Sequence, residues 1–291
     1  MILDSFKNIL VVGIGLIGGS ILKTLKKKKF KGCLYGIDLD ESIIKKAYEL
    51  DLINNKDNFL NNIEKDLLVV FSVPVLSIEQ GLDLVNRSIS LKHTVLTDTL
   101  SSKSKVIDFL QSNKEVKNRF VLSHPIAGSE KSGLDNSTND LFERRLVIIS
   151  PQDSNNLEDI ESVKNFWEFL GTKVAVLDPK KHDEVFAKTS HLPHVIAYTL
   201  MDYLIKSLEG SAFHYSGGSL EDYTRISSSN PIMWKDIMIS NKQELLTAIK
   251  GFQLRLEEVS KLIQKEDQES IKNFLESVKE KRDSLIDKGK G

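Results

Sequence analysis

Cysteine occurs once in the 291 residues, at Cys33. A single thiol forms no intramolecular disulfide and no cysteine cluster for zinc, and it fits a reducing compartment. An excess of charge of either sign is also missing: 40 Lys and Arg face 41 Asp and Glu, a net charge of −1. Without a positive field, the chain is not expected to bind nucleic acid or anionic membrane in a general way. No apolar run approaches the roughly 20 residues of a membrane helix. The opening MILDSFKNILVV lacks a basic segment followed by an apolar stretch and a small-residue cleavage site, so no signal peptide is expected. Together these absences leave a soluble, cytoplasmic, globular protein as the expectation. Arginine is scarce too, at 7 of the 40 basic residues, which makes each one conspicuous.

What is present points to two domains. Hydrophobic residues make up 40% of the chain, enough for a substantial core, and its length suits two units of roughly 150 residues. Short apolar runs rich in β-formers lie at 9–12, 33–37, 67–72, 94–97, 120–122, 146–149 and 174–177. They show little polar alternation, as in strands covered on both faces. Helical patterns at 16–25, 41–50 and 160–170 fall between them, and such alternation predicts an α/β fold with a doubly wound, mostly parallel sheet. No strand is expected beyond residue 180. Leu245, Ile249, Phe252, Leu256, Val259 and Ile263 instead form an apolar helical stripe, and Ile271, Phe274, Leu275, Val278 and Leu285 a second. The expected division is therefore 1–179 and 180–291. The lysine run at 26–29 reads as the solvated last turn of the first helix, where cations suit the dipole.

The first strand runs directly into Gly13-Ile14-Gly15-Leu16-Ile17-Gly18, a GxGxxG between strand and helix. The first glycine allows the tight turn, the second lets a pyrophosphate approach the backbone, and the third lets the helix pack close to the sheet. The free N–H groups of the helix start bind the phosphates. Asp38 ends the second strand 20 residues after Gly18, where a carboxylate accepts from the adenosine ribose and repels a 2′-phosphate. The expected cofactor is NAD rather than NADP. Ser72-Val73-Pro74 closes the third strand, at the edge where the nicotinamide half passes.

His124 lies just past the fifth strand, at the same ligand-holding edge. A neutral imidazole there accepts a proton from a substrate hydroxyl as hydride leaves the same carbon; a plain loop cap is the alternative. Ser101 or Ser102, following the fourth strand, is placed to cap the next helix and also to reach into the cleft; capping alone is the commoner use of such a serine. Lys181-His182-Asp183 opens the second domain, followed by His191 and His194. The last two are three residues apart but lack a carboxylate in metal spacing, so no metal is expected. Arg225 offers a carboxylate two parallel bonds that lysine cannot; a buried salt bridge is the alternative. His93 reads as an ordinary surface residue.

The segments GIGLIGGS, DTLSSK, SHPIAGSE, KKHDE, SHLPH and GGSLEDYTRISSSNPIMW, spanning about residues 8 to 240, resemble the prephenate dehydrogenase family, which includes arogenate and cyclohexadienyl dehydrogenases. The resemblance implies a Rossmann-type nucleotide domain followed by an all-helical dimerisation domain, and a homodimer. It also implies an oxidative decarboxylation in tyrosine biosynthesis, in which a cyclohexadienol loses hydride to NAD and carbon dioxide from the opposite ring carbon. His124 would then accept the hydroxyl proton, Ser101 orient that hydroxyl and the nicotinamide, and Arg225 hold a carboxylate. His194 and His191 would lie near that carboxylate, Ser129 would face the side chain, and Gly218 would belong to the substrate site. Glu221 departs from the basic or apolar residue of many relatives, which alters the charge expected near Glu130. No regulatory or chorismate mutase domain is expected. Arogenate as substrate, another Rossmann-plus-helical dehydrogenase with a lysine acid–base, and a non-catalytic NAD-binding protein are the rival readings.

Overall fold

The computed structural model of the chain describes residues 3, 5–57, 66–87, 89, 91, 94–128 and 131–288. His93, Ser129 and Glu130 lie outside the described residues. Two compact units are present, 1–244 and 245–291.

Among the described residues the first unit is built on seven strands: β1 (Asn8–Val12), β2 (Cys33–Ile37), β3 (Leu67–Phe71), β4 (Val95–Asp98), β5 (Phe120–Pro125), β6 (Leu146–Ser150) and β7 (Lys173–Val176). Their order is β2-β1-β3-β4-β5-β6-β7. Every pairing is parallel except β5 with β6, where Leu122 faces Ser150 and Pro125 faces Val147. Helices α1 (Leu16–Lys27), α2 (Glu41–Glu49), α3 (Ile78–Asn86), α4 (Ser104–Ser112), α5 (Lys114–Lys117) and α6 (Leu157–Leu170) intervene.

The unalternated strands follow from cover on both sides. Ile9 and Val11 pack with Ile21, Leu22 and Leu25 of α1 and with Phe166 and Trp167 of α6. Leu10 and Val12 pack on the other face with Leu82 and Val85 of α3 and Val106 and Leu110 of α4. All five residues of β3 are buried, each worth roughly 1.5–3 kcal/mol relative to exposure. Local signals set the helix ends. Asp40 accepts from the Ser42 amide at 2.9 Å to cap α2, Asn156 accepts from the Asp159 amide at 2.7 Å to cap α6, and Gly171 ends α6 at φ +101°. The lysine run lies at the end of α1. Lys26 pairs with Asp51, Lys27 with Glu143, and Lys28 sits over the Phe169 ring.

After Val176 no strand occurs among the described residues. Asp178 caps α7 (Pro179–Phe186), accepting from the Lys180 and Lys181 amides, with Pro179 in the first turn. A π-helical stretch, Ala187–His191, leads into α8 (Leu192–Ser207), then α9 (Gly218–Thr224), a 3₁₀ turn at Arg225–Ser228, α10 (Pro231–Ser240) and α11 (Lys242–Gln264). The second unit consists of α11 from Leu245 onward and α12 (Gln268–Lys288). Leu245 is buried, whereas Leu256, Ile263, Phe274, Leu275, Val278 and Leu285 stand open in the single chain. Among the described residues no helix is long and apolar enough to cross a membrane.

Candidate active site

The chain reverses direction across the sheet between β1 and β3, and the carboxyl ends of these strands form one edge. Gly13 turns there with φ +88°, and a Cβ on it would meet the Ser72 carbonyl oxygen at 2.6 Å, so the glycine loop and the loop after β3 lie in contact. A Cβ on Gly18 would meet the Gly13 carbonyl at 2.0 Å, whereas around Gly15 there is open space. The start of α1 carries no side-chain cap and no acidic residue in its first turn. Its free N–H groups and positive dipole end therefore face that space, the arrangement that receives a pyrophosphate. Asp38, one residue past β2, is tied to the loop: its Oδ2 accepts from the Ile14 amide at 2.7 Å and its Oδ1 from the Asp40 amide at 3.0 Å. The residues present fit a dinucleotide.

A cleft of about 840 Å³ opens at this edge. Gly15, Leu16, Ile17, Ser72, Val73, Pro74, Ser101, His124, His191, His194 and Arg225 all border it. Gly13 and Gly18 support the loop from beneath and do not border the cleft. Neither does Asp38, nor Gly218, which is exposed at the first residue of α9. Ser129 lies outside the described residues.

His124 is carried by β5, which extends through Pro125 because β6 pairs with it beyond the parallel partner β4. His124 Nδ1 lies 2.8 Å from His182 Nε2, and His182 Nδ1 lies 2.9 Å from Asp183 Oδ1. Burial first, then the neighbouring His182, Lys103 and His191, hold His124 well below the ordinary histidine value. At neutral pH it is therefore unprotonated, the state in which an imidazole nitrogen accepts a proton. Burial likewise lowers His182. Burial opposes the charge on Asp183, but hydrogen bonds from His182 and Ser104 and from the Lys103 and Ser104 amides keep its carboxyl below the usual value.

Beneath His124 lies a fully buried ion pair. Lys103 Nζ contacts Asp98 Oδ2 and donates to the Ser123 carbonyl at 2.6 Å, while Asp98 Oδ1 accepts from the Ser123 amide at 2.8 Å. Burial pushes Asp98 up and Lys103 down. Trp167 of α6 donates to the Ser123 hydroxyl at 2.9 Å, so both core and ion pair seat the residue before His124.

The two histidines of the helical part differ. Asn241 Nδ2 lies 3.1 Å from His191 Nδ1 and donates to it, which leaves the His191 proton on Nε2. Burial, followed by smaller effects of its charged neighbours, puts His191 at about 4, so it donates while neutral. His194 donates from Nδ1 to the Ser190 carbonyl at 2.9 Å and stacks on Trp234, ring centroids 3.6 Å apart. Partial burial, and beyond it the nearby Arg225, lower its pKa, against the Ser190 contact. Arg225 is exposed at the start of its 3₁₀ turn and makes no ion pair among the described residues. The expected alternative of a buried salt bridge is thus corrected, and the guanidinium is available to an anion.

Neither serine caps α4, contrary to one expectation. Ser102 donates to the Ser240 hydroxyl at 2.7 Å, Ser101 borders the cleft, and the cap comes from Asp183. His182 and Asp183 were visible in sequence only as a motif opening the helices. Lys103 and Trp234 end the segments DTLSSK and GGSLEDYTRISSSNPIMW without a role of their own being legible there, and Asn241 lies outside every such segment.

A nucleotide cradle at the switch point of a doubly wound sheet, with a neutral histidine and an exposed arginine bordering the same cleft, defines an oxidoreductase of the dinucleotide-dependent dehydrogenase class. Comparison with known proteins narrows the class. Residues 21–176 match the family model "Prephenate dehydrogenase, nucleotide-binding domain" and residues 178–280 "Prephenate dehydrogenase, dimerization domain". The chain belongs to the prephenate dehydrogenase family. It is similar to a prephenate dehydrogenase of Bacillus subtilis, 30% identical over 97% of this chain and 77% of the relative, and to a cyclohexadienyl dehydrogenase of Zymomonas mobilis, 33% identical over 94% of each. Among solved structures it is similar to prephenate dehydrogenase from A. aeolicus in complex with hydroxyphenyl propionate and NAD+, at 36% identity and a TM-score of 0.87, covering 96% of this chain and 98% of that one.

Proposed function

We propose that the chain oxidises and decarboxylates prephenate to 4-hydroxyphenylpyruvate with NAD, a step of tyrosine biosynthesis. The observation that carries this reading is the pairing, across one cleft, of a neutral histidine base with an arginine that no carboxylate of the described chain occupies. NAD supplies the hydride acceptor when bound. The chain's own residues do the rest. The α1 start holds the pyrophosphate, and Asp38 favours a free ribose 2′-hydroxyl over a phosphate. Arg225 grips a substrate carboxylate bidentately. His124 takes the hydroxyl proton on the ring nitrogen that His182 does not engage, Nε2, and Ser101 orients the same hydroxyl. As the proton leaves oxygen and hydride leaves the ring carbon, the bond to the ring carboxylate breaks. Its electrons complete the aromatic ring, carbon dioxide departs, and the phenolate oxygen takes the proton back from His124 to give the phenol, so positioning is the protein's main task.

Incubation with NAD+ and prephenate, followed by NADH absorbance, tests the reading; absence of NADH would leave a dinucleotide-binding protein without this activity. Arogenate in place of prephenate tests the second reading, which is favoured by the similarity to a cyclohexadienyl dehydrogenase. The proposal divides the chain at 179/180, where sheet gives way to helix. It makes the enzyme a homodimer through the helical part, in line with the dimerization domain matched there. It places the enzyme in the cytoplasm, where the exposed Cys33 stays a thiol.

A further inference from the structure

The base of the cleft is one end of a chain of three side chains. Asp183 carries a carboxylate, which only accepts hydrogen bonds. Its Oδ1 lies 2.9 Å from His182 Nδ1, so the His182 proton sits on Nδ1 and His182 Nε2 is an acceptor. That nitrogen lies 2.8 Å from His124 Nδ1, so His124 in turn keeps its proton on Nδ1. The lone pair of His124 is thereby left on Nε2.

The same carboxylate has a second task. Its Oδ1 accepts from the Lys103 amide at 2.8 Å, and its Oδ2 accepts from the Ser104 amide at 2.8 Å and from the Ser104 hydroxyl. These are orphan donors at the start of α4, a helix with no capping side chain of its own. Asp183, on α7, thus caps a helix of the sheet region from 79 residues away, and Ser101 sits just before that helix start. Asn241, between α10 and α11, donates from Nδ2 to the Asp183 carbonyl at 2.9 Å and fixes the anchor from a third side. Phe186 closes the side, its ring 4.8 Å from that of His124 and 4.5 Å from that of His182.

We infer that His182 and Asp183 are positioning residues for the oxidation: they hold His124 in the one tautomer able to accept the substrate proton, and Asp183 ties the Ser101 loop and the base into a single register. This rests on the reading of His124 as the base. The charge balance agrees with it. The groups facing His124 are Lys103, paired with Asp98, from the α4 side, His182 and Asp183 from α7, and His191 from the π-helical stretch. When His124 takes up a proton, Asp183 is the carboxylate not already spent on Lys103, and His182 conveys its effect, as an orienting carboxylate does for other catalytic histidines.

The test pairs nitrogen-15 NMR of the imidazole rings, recorded on the enzyme without substrate, with steady-state kinetics of His182→Leu and His182→Gln. The glutamine amide retains an acceptor for His124 and a donor for Asp183; leucine retains neither. The expected results are a His124 proton on Nδ1 in the wild type, its displacement toward Nε2 in His182→Leu, and a kcat about 10- to 100-fold lower in that variant with the NAD+ Kd within about twofold. His182→Gln should recover most of kcat. A wild-type His124 carrying its proton on Nε2, or a His182→Leu enzyme with wild-type kcat, would overturn the inference. Equal kcat losses in the two variants would do so as well, since loss of packing alone does not distinguish an amide from an alkyl group. If the wild type oxidised neither prephenate nor arogenate, the functional reading would fall, while the ring spectra would still decide the tautomer.

Discussion

At the scale of single residues, each cleft histidine is made a different reagent by its neighbours. His191 receives a hydrogen bond from Asn241 and so is a neutral donor; His124 is a neutral acceptor; His194 is an acceptor until it is protonated. Replacing His124 by Asn should lower kcat by about 10²–10⁴-fold with NAD+ binding intact, and a near-normal turnover in the NADH assay would sink the assignment. His194 carries a pH consequence. Its Nδ1 proton goes to the Ser190 carbonyl, so a substrate carboxylate is reached only when Nε2 also bears a proton. Partial burial first, and Arg225 after it, lower the pKa, so at neutral pH the ring is mostly neutral and binding a carboxylate there must take up a proton. Affinity is then greatest at low pH and falls as pH rises, by at most about tenfold per unit. The KM for prephenate measured between pH 6 and 8 should climb in the wild type and stay flatter in His194→Asn. A level wild-type profile counts against this contact.

At the scale of elements, the glycine turn and the first helix are a single device. A methyl at Gly18 would strike the Gly13 carbonyl, a backbone atom that cannot swing aside. Gly18→Ala should cost about 1–3 kcal/mol through forced shifts of α1 and weaken NAD+ binding with it. Thermal unfolding and a calorimetric NAD+ titration check this; unchanged Tm and Kd would refute it. The strands were legible because burial on both faces leaves continuous apolar runs, and each of the seven observed strands overlaps one of the runs read from the sequence. The antiparallel pairing of β5 with β6 was not legible, because parallel and antiparallel buried strands share the same composition. That reversal matters, since it carries β5 onward to hold His124. The capping of α4 was misread for a related reason. Ser101 and Ser102 are the nearest polar residues in sequence, but Asp183 reaches the helix start through space.

At the scale of the whole molecule, the described contacts divide the chain after Glu244, whereas the two family models meet between residues 176 and 178. The helices of 179–244 are thus bound to the sheet region closely enough to form one compact unit, which is where the cleft lies. The apolar residues of α11 and α12 pose a separate question. Leu285 is 70% exposed, Ile263 61% and Leu275 58% in the single chain, more apolar surface than helices of a lone protein ordinarily leave in water. A second copy of the chain is the expected cover. Light scattering at micromolar concentration should give about twice the 32.8 kDa of one chain, and Leu275→Glu should shift the mass toward the monomer. A monomeric mass for the wild type would overturn the dimer.

Sequence by itself determined what depends on near neighbours along the chain. The glycine turn, the apolar runs, the cap at Asp178 and the placing of Asp38 and His124 at strand ends all follow from backbone sterics and periodicity within a few residues. The balance of 40 basic and 41 acidic residues likewise set the absence of a general field. Only the tertiary structure decided which groups act on one another. His124 meets His182 across 58 residues, and Lys103 and Ser104 meet Asp183 across 80 and 79. The protonation state and tautomer of a side chain are set by the atoms within about 3 Å of it, and that distance has no counterpart in spacing along the sequence.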